Sequence, residues 1–435
     1  MKKSIGSSLR RAWHEALRGT LHALPRELRF ALYRSLVDCD PAPDPRLQLK
    51  IADTQEELEA CFGILHDAYV GSGFMQPHPS GLRVTPYHAL PTTTTLAATW
   101  DGEVVGTISL VREGVFGFPL QSVFDLAPVR KRGGQLAEVS ALAVHPSFRG
   151  TGGRVLFPLM KFMYGYCTEY FDTRNLVIAV NPNKIELYES LLFFERLQEQ
   201  TVDRYDFANG APAVGAALDL LHAPELFRRS YAGRRANKDL NHYFTALALP
   251  NIALPQRRYH TTNDPVMTPA LLDHFFNHRV PVFAGLDERR LRLLHSIYDL
   301  DAYRAVLPPL PATDAAGTVT VRRHQRYSIR CPARLEFSGA GAPTGVALQV
   351  IELSLHGFQA ETRAKIPLQV GGRATVELGR DELAFVPATA VRRHESGGTV
   401  FYGFQVDDPD PAWRACVDAL QRGQTHRDLT VRGPL

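Results

Sequence analysis

Cysteine is scarce in this chain, and its placement excludes more than its number does. Cys39, Cys61, Cys167, Cys331 and Cys416 are scattered through 435 residues with no Cys-x-x-Cys spacing, so no disulfide framework or zinc knuckle is encoded and a reducing, cytoplasmic setting is expected. Long apolar runs are missing too. None approaches the ~20 residues of a membrane-spanning helix, and the first residues lack the apolar core of a signal peptide. Neither sign of charge dominates, with 49 Lys and Arg against 45 Asp and Glu for a net +4. Arg228-Arg229, Arg234-Arg235 and Arg289-Arg290 are dispersed without interleaved aromatics, which argues against nucleic-acid binding. His274 and His278 have metal-ligand spacing but no third ligand nearby in sequence, so no metal is expected. No internal repeat is present, and the length accommodates roughly two to four domains.

What is present is concentrated in residues 137–154, AEVSALAVHPSFRGTGGR. Apolar residues around Leu142 and Val144 predict a strand that His145 and Pro146 stop, and the run from Arg149 through Gly150, Thr151, Gly152 and Gly153 to Arg154 opens onto a helical pattern over 155–166. Such a loop leaves backbone N–H groups free at a helix N-terminus, where a phosphate or pyrophosphate is the expected guest. It is no nucleotide P-loop, because Arg154 and Val155 stand where Lys and Ser or Thr would be, and Val155 replaces the third glycine of a dinucleotide fingerprint. The alternative is a strand-to-helix turn that uses glycine only for its backbone freedom.

Arg149 and Gly152 fit the signature Arg or Gln, two residues, Gly, one residue, Gly or Ala, by which the loop resembles the Gcn5-related N-acetyltransferase superfamily; Arg154 departs from it. The run from Glu138 through Val139, Ser140, Ala141, Leu142 and Ala143 to Val144, preceded by Arg130-Lys131-Arg132-Gly133-Gly134, resembles the long-chain N-acyl amino acid synthases. Those are relatives of the acyl-homoserine-lactone synthases, whose matching strand carries an Arg where this chain has Ala141. The resemblance covers residues 47–243 and continues to 298.

That resemblance implies transfer of an acyl chain from a phosphopantetheine thioester, on acyl carrier protein or coenzyme A, to the amino group of an amino acid. An amine must shed a proton before attacking a thioester, and a strand carboxylate can accept it, so Glu138 is the expected base; the alternative pairs it with Arg130 or Arg132. Backbone amides along Leu142 to Val144 are the expected oxyanion donors if the strand splays. Tyr188, on a helix like the one that presents a Tyr in the superfamily, is the expected acid for the thiolate, or else a core residue with a wet hydroxyl. Phe116, Phe118, Leu120, Val123 and Phe124 lie where the related synthases place acyl-pocket walls, though core packing is the commoner role of such a cluster.

Before Asp38 stand eight basic residues, Lys2, Lys3, Arg10, Arg11, Arg18, Arg26, Arg29 and Arg34, against Glu15 and Glu27. Leu9, Trp13, Leu17, Leu21, Leu24, Leu28 and Leu32 fall at helical spacing interrupted by Pro25. This predicts two short basic amphipathic helices over 1–46. They suit an anionic inner-membrane surface or an acidic partner such as acyl carrier protein, or dock on the enzyme with solvated arginines.

Over 47–245 the spacing predicts a strand at 47–51, a helix at 54–70 capped by Thr54 with Glu57, and a hairpin, 92–100 with 103–111, around Asp101-Gly102. A strand at 176–180 and helices at 185–197, 211–227 and 236–243 follow. The alternation predicts an α/β mixed sheet with helices on both faces and an acetyltransferase-like fold. Pro265, Pro269 and Pro281 punctuate a helical appendage over 246–305 with helices at 269–278 and 287–298, and residues 306–320 read as a Pro/Ala linker.

Beyond it, short alternating strands at 331–337, 346–352, 357–362, 373–378, 383–394 and 400–406, closed by a helix at 411–421, predict an all-β six-stranded barrel over 321–425. Arg322 and Arg326 with Arg323 between them, followed by Glu352, Ser354 and Gly357, resemble the two motifs of the PilZ domain, which binds cyclic di-GMP. Glu352 stands where Asp or Asn is usual. The resemblance implies that the arginine forks meet phosphates and guanine edges. The combined expectation is a cytoplasmic N-acyltransferase, free or peripheral at the inner membrane, regulated by cyclic di-GMP. Two alternatives stand beside it: a coenzyme A dependent N-acetyltransferase of a small amine or protein, and a non-catalytic cyclic di-GMP receptor.

Overall fold

The computed structural model describes residues 24–255, 257–262, 267–298, 301–310, 326–337, 345–396 and 399–421. Arg322, Arg323, the first of the two expected N-terminal helices and most of the linker lie outside them. The first domain is a mixed sheet in the order β1-β2-β3-β4-β5-β8-β6, with β7 paired to β8. Its strands are β1 (Leu47–Ile51), β2 (Thr93–Trp100), β3 (Glu103–Arg112), β4 (Gln135–Val144), β5 (Thr173–Val180), β6 (Glu195–Arg196), β7 (Val202–Tyr205) and β8 (Ala211–Asp219). Every pairing is antiparallel except β4 with β5.

Alternate residues of these strands feed two cores. Ala137, Leu176, Ile178 and Leu218 meet the helices Leu156–Gly165 and Ala223–Tyr231 on one face. On the other, Leu136, Val177 and Ala217 meet the helix Gln55–Gly71. This is the expected α/β sandwich. Thr54 caps that helix as expected, its Oγ1 accepting the Glu57 amide at 3.2 Å, while the Glu57 carboxylate accepts the amide of Asp53. Asp101 and Gly102, at φ 52° and 89°, form the expected hairpin turn.

Two expectations fail locally. Residues 211–219 form β8 rather than a helix. Nearly all of them are buried between the two layers, so the strand shows no polar alternation and its alanines imitate a helical pattern. The expected helix at 185–197 runs Pro182–Leu192 and stops where Phe193 turns left-handed at φ 61°, freeing Glu195 and Arg196 to pair with β8.

The helix Arg26–Ser35 reverses the expected orientation. Its basic side docks on the helix Pro182–Leu192, where Arg29 pairs with Glu186, Arg26 with Glu189 at 2.9 Å, and Arg34 donates to the Ser190 carbonyl. Leu24, Leu28, Leu32 and Leu36 face solvent instead.

The appendage is part of the domain. Leu272, Phe275, Phe276 and Leu294 are buried in the same core as the helix Gln55–Gly71. His278 pairs with Asp273 and His274 lies 3.5 Å from Glu59; among the described residues no three side chains are gathered to hold a metal.

The second domain is a closed barrel in the order β10-β11-β14-β13-β12-β9. Its strands are β9 (Tyr327–Phe337), β10 (Val346–Ser354), β11 (Gly357–Glu361), β12 (Gly371–Gly379), β13 (Glu382–Ser396) and β14 (Thr399–Val406), plugged by the helix Pro411–Gln421. All six strands and the helix match the expected segments. A strap from the first domain completes this core. Tyr259 is buried in the barrel, the His260 amide donates to the Leu378 carbonyl, the Arg330 amide donates to the His260 carbonyl, and Arg258 pairs with Glu382 at 2.9 Å. Gly379 is required there, since any Cβ would collide with the Arg258 carbonyl.

Tyr259 places a whole ring in the barrel core while its hydroxyl is buried without a hydrogen-bond partner. Tyr259→Ala is therefore expected to destabilise the barrel by about 3 kcal/mol or more, and Tyr259→Phe to change it by less than about 1 kcal/mol. Denaturant unfolding of the full chain measures both.

Candidate active site

The sheet opens at β4. Its parallel pairing with β5 runs from Gln135 opposite Thr173 to Glu138 opposite Val177 and ends there. Beyond that point β4 stays with β3 as far as Val144 opposite Gly106, and β5 stays with β8 as far as Val180 opposite Val214. Residues 139–144 thus border a wedge-shaped gap, with Leu142 and Val144 paired to no residue of β5. Ala141 sits in the left-handed region at φ 55°, where the β3–β4 register shifts. This bulge bends the strand away from β5.

The glycine loop follows where the sequence places it. Gly150, Gly152 and Gly153 adopt φ of 75°, 71° and 85°, and a Cβ on Gly153 would lie 2.5 Å from the Phe157 ring. Arg149 ties the loop to the strand end, its Nε donating to the Val144 carbonyl at 2.7 Å, and the Thr151 hydroxyl donates to the Phe148 carbonyl. Arg154 is exposed. Amides of residues 150–154 donate to no backbone carbonyl among the described residues, and the helix Leu156–Gly165 has no side-chain cap. The loop therefore offers donors to an anion. Asp38 tempers it, its carboxylate standing 3.5 Å from the Cβ position of Gly152.

Glu138 and Tyr188 are not on the same side. Glu138 is 2% exposed and, like Leu136, faces the core of the helix Gln55–Gly71. Its carboxylate accepts the amide of Leu120 at 3.0 Å. Burial raises its pKa to about 8, with the Leu120 amide opposing. It pairs with neither candidate arginine, since Arg130 pairs with Glu113 and Arg132 with Glu195. Tyr188 packs against the opposite core, edge-on to Phe194, and desolvation pushes its phenol up to about 12. Phe118, Leu120 and Phe124 are buried core residues over Glu138, with Phe116 and Val123 half-buried beside them.

One polar group escapes the sequence reading. Arg83, Tyr87 and His88 line a small cleft with Ser140, Ala141 and Phe207 on the Glu138 face, and the Tyr205 ring packs 5.8 Å from that of Phe207. Residues 82–88 lie outside any periodic element, so no pattern flags Arg83 from sequence.

In the barrel, Arg326 donates from Nη1 to Glu352 at 2.8 Å. Ser354 and Gly357 build the β10–β11 turn: the Ser354 hydroxyl donates to the Gly357 carbonyl, and a Cβ on Gly357 would lie 2.7 Å from the Phe404 carbonyl oxygen. Arg326 and Glu352 open into a cleft of 2310 Å³ between the barrel and the first domain, which Arg258, His260 and Lys161 also line.

Residues 60–219 match the family model "N-acyl amino acid synthase FeeM", and residues 320–421 match the PilZ domain model. Comparison with curated proteins returns no match. Among solved structures, FeeM, an N-acyl amino acid synthase from uncultured soil microbes, is 24% identical, with 41% of this chain and 94% of that chain covered at a TM-score of 0.36. BjaI, a CoA-dependent acyl-homoserine lactone synthase, is 18% identical over 45% of this chain and 97% of its own, at a TM-score of 0.32. The PilZ domain of YcgR from Escherichia coli, solved with c-di-GMP, is 20% identical over 23% of this chain and 92% of its own, at a TM-score of 0.19. On the two family models, residues 60–219 form a domain of the N-acyl amino acid synthase type and residues 320–421 a PilZ domain.

Proposed function

We propose that this chain is an N-acyltransferase that moves a long acyl chain from acyl carrier protein to the amino group of an amino acid, and that cyclic di-GMP bound to the barrel regulates it. The observation that carries the reading is the parting of β4 from β5 directly after Glu138, with an amide-bearing glycine loop at the end of the opened strand. A phosphopantetheine arm laid along the gap puts its phosphate at residues 149–154 and its thioester beside Leu142 and Val144. Amides of the unpaired edge then stabilise the oxyanion. The amine arrives from the Glu138 face and gives its proton to that carboxylate as the C–N bond forms. As the C–S bond breaks, Tyr188, held protonated by its raised pKa, donates to the departing sulfur from the other face. The same gap and loop would serve a coenzyme A thioester, whereas the non-catalytic reading leaves them unused. The carrier preference rests on the basic N-terminal sequence, of which Arg26, Arg29 and Arg34 contact the first domain, while Lys2, Lys3, Arg10, Arg11 and Arg18 lie outside the described residues.

Glu138 sets a pH signature. A carboxyl raised to about 8 is mostly protonated at pH 7, so kcat/KM is expected to rise with unit slope towards pH 8 and then level. Glu138→Gln is expected to lower kcat by about 10²–10⁴-fold and abolish that limb. Its folded-state pKa lies above the unfolded value, so this group stabilises the fold relative to its ionised form at low pH, and that contribution is lost as pH rises from about 4.5 through 8. Glu138→Gln is therefore expected to be more stable than the parent at pH 9 and similar at pH 4. Acyl transfer and thermal unfolding across pH measure the two effects; a variant with full activity removes Glu138 as base.

The second messenger must compete with Glu352 for Arg326. Arg326→Ala is expected to weaken cyclic di-GMP binding at least tenfold, read by calorimetry on the full chain. Turnover that is identical with and without saturating messenger would overturn the regulatory half of the proposal.

A further inference from the structure

Arg83 is 9% exposed yet forms no ion pair among the described residues. One nitrogen, Nη2, donates to the Phe207 carbonyl at 2.6 Å. The guanidinium lies over the Tyr69 ring at 4.0 Å and near Phe207 at 5.4 Å, which fixes its plane and leaves Nε and Nη1 without a protein acceptor. Burying a guanidinium without a counter-charge is costly, and a fork held rigid between aromatic rings is suited to a planar anion.

A second unpartnered group points to the same place. Tyr205, at the end of β7, is 3% exposed and its hydroxyl is buried with no hydrogen-bond partner among the described residues. Its ring packs 5.8 Å from that of Phe207, the residue whose carbonyl and ring hold Arg83, and burial raises its pKa, with Glu138 adding to the rise and Arg83 opposing it. His88 does not supply the missing charge or compete for the anion, since burial, reinforced by Arg83, drives its pKa down to about 3 and keeps it neutral. Arg83, Ser140 and Ala141 line a cleft with a volume of about 10 Å³, room for roughly one water and hence for the end of a ligand rather than its body. Ser140 lies two residues along β4 from Glu138, on the bulged stretch where the strand leaves β5.

We propose that Arg83, with the Tyr205 hydroxyl, receives the α-carboxylate of the acceptor and so makes amino acids, rather than plain amines, the substrates. This rests on the acyltransferase reading above. The carboxylate would accept from Arg83 in the cleft, with the Tyr205 hydroxyl as a second donor reached past Phe207, while the adjacent amine meets Glu138, two residues along β4 from Ser140. Arg83 and Tyr205 are specificity-determining residues in this scheme, and no proton passes through them.

The test uses the full chain and two readouts. The first is binding without turnover: thermal shift with N-decanoyl amino acids against the corresponding N-decanoyl amino amides. The parent is expected to be stabilised by the acids and at least tenfold more weakly by the amides. Arg83→Gln, Arg83→Lys and Tyr205→Phe are each expected to shrink that preference, and Tyr205→Phe should leave the unliganded melting temperature unchanged because its hydroxyl has no partner to lose. The second is acyl transfer to the twenty amino acids and their amides, in which Arg83→Gln is expected to raise the acceptor KM at least tenfold and to remove discrimination against the amides. Equal binding of acids and amides by the parent, or unaltered preference in Arg83→Gln and Tyr205→Phe, would overturn the proposal. Acid-selective binding that depends on Arg83 in a chain that transfers no acyl group to any acceptor would sustain the anion site and sink the acyltransferase reading instead.

Discussion

The first domain depends on a parallel contact that is allowed to fail. β4 and β5 hold together over four register positions and then separate, although β5 stays paired with β8 to its end and β4 with β3 except at the bulge. Two edges of unpaired backbone inside a domain would ordinarily be a liability. Here the bulge at Ala141 redirects β4 and the two cores keep the flanking strands fixed, so the opened edges are rigid rather than frayed. A gap of this kind presents amide groups whose orientation is already determined, and preorganised donors do not have to be rearranged when charge develops beside them.

Around that gap the protein tolerates polar groups in places where apolar ones would be more stable. Glu138 is buried with a single amide donor, Arg83 with a single carbonyl acceptor, and Tyr205 with no partner. All three lie on the face covered by the helix Gln55–Gly71, the segment carrying Leu120, and the appendage. The opposite face spends its polar contacts differently, in ion pairs such as Arg26 and Arg29 with Glu189 and Glu186 that fasten the N-terminal helix to the enzyme. Unpartnered buried polar atoms also occur elsewhere, at Asn175, Tyr243 and Tyr259, so it is the gathering of Glu138, Arg83 and Tyr205 beside one opened strand that points to a ligand.

Much of this was legible in the sequence where local rules govern. Thr54 and Glu57 announce a helix start, Asp101-Gly102 a hairpin, the glycines of 150–153 a loop with φ above zero, and the even strand spacing of the last hundred residues a barrel. Local rules fail where tertiary burial takes over. β8 is sandwiched between two layers and loses its alternation, and the basic side of the helix Arg26–Ser35 turns inward because Glu186 and Glu189, far away in sequence, wait for it. Glu138 and Tyr188 are each found by motif, but their placement on opposite faces follows from strand parity and helix packing combined. Arg83 carries no local signal at all. Its meaning comes from Tyr69, Tyr205 and Phe207, three residues brought to it from different elements.

The strap over residues 257–262 ties the two domains more tightly than a proline linker would. Tyr259 belongs to the barrel core, and its neighbours His260 and Thr261 pair with β12 and β9. On the N-terminal side of the same strap, Ile252 bridges to β1 at Leu49, and Lys161 of the helix behind the glycine loop donates to the Phe244 carbonyl. On the proposed function, displacement of the barrel would pull on the edge of the first domain's sheet and on the helix that follows the glycine loop. Arg326 and Glu352 open into the cleft that this strap crosses, so a charged ligand that separates them changes the wall of the cleft directly. Coupling by this route needs no movement of the gap itself, because shifting the helix behind residues 149–154 by a fraction of an ångström already alters how the loop's amides meet a phosphate.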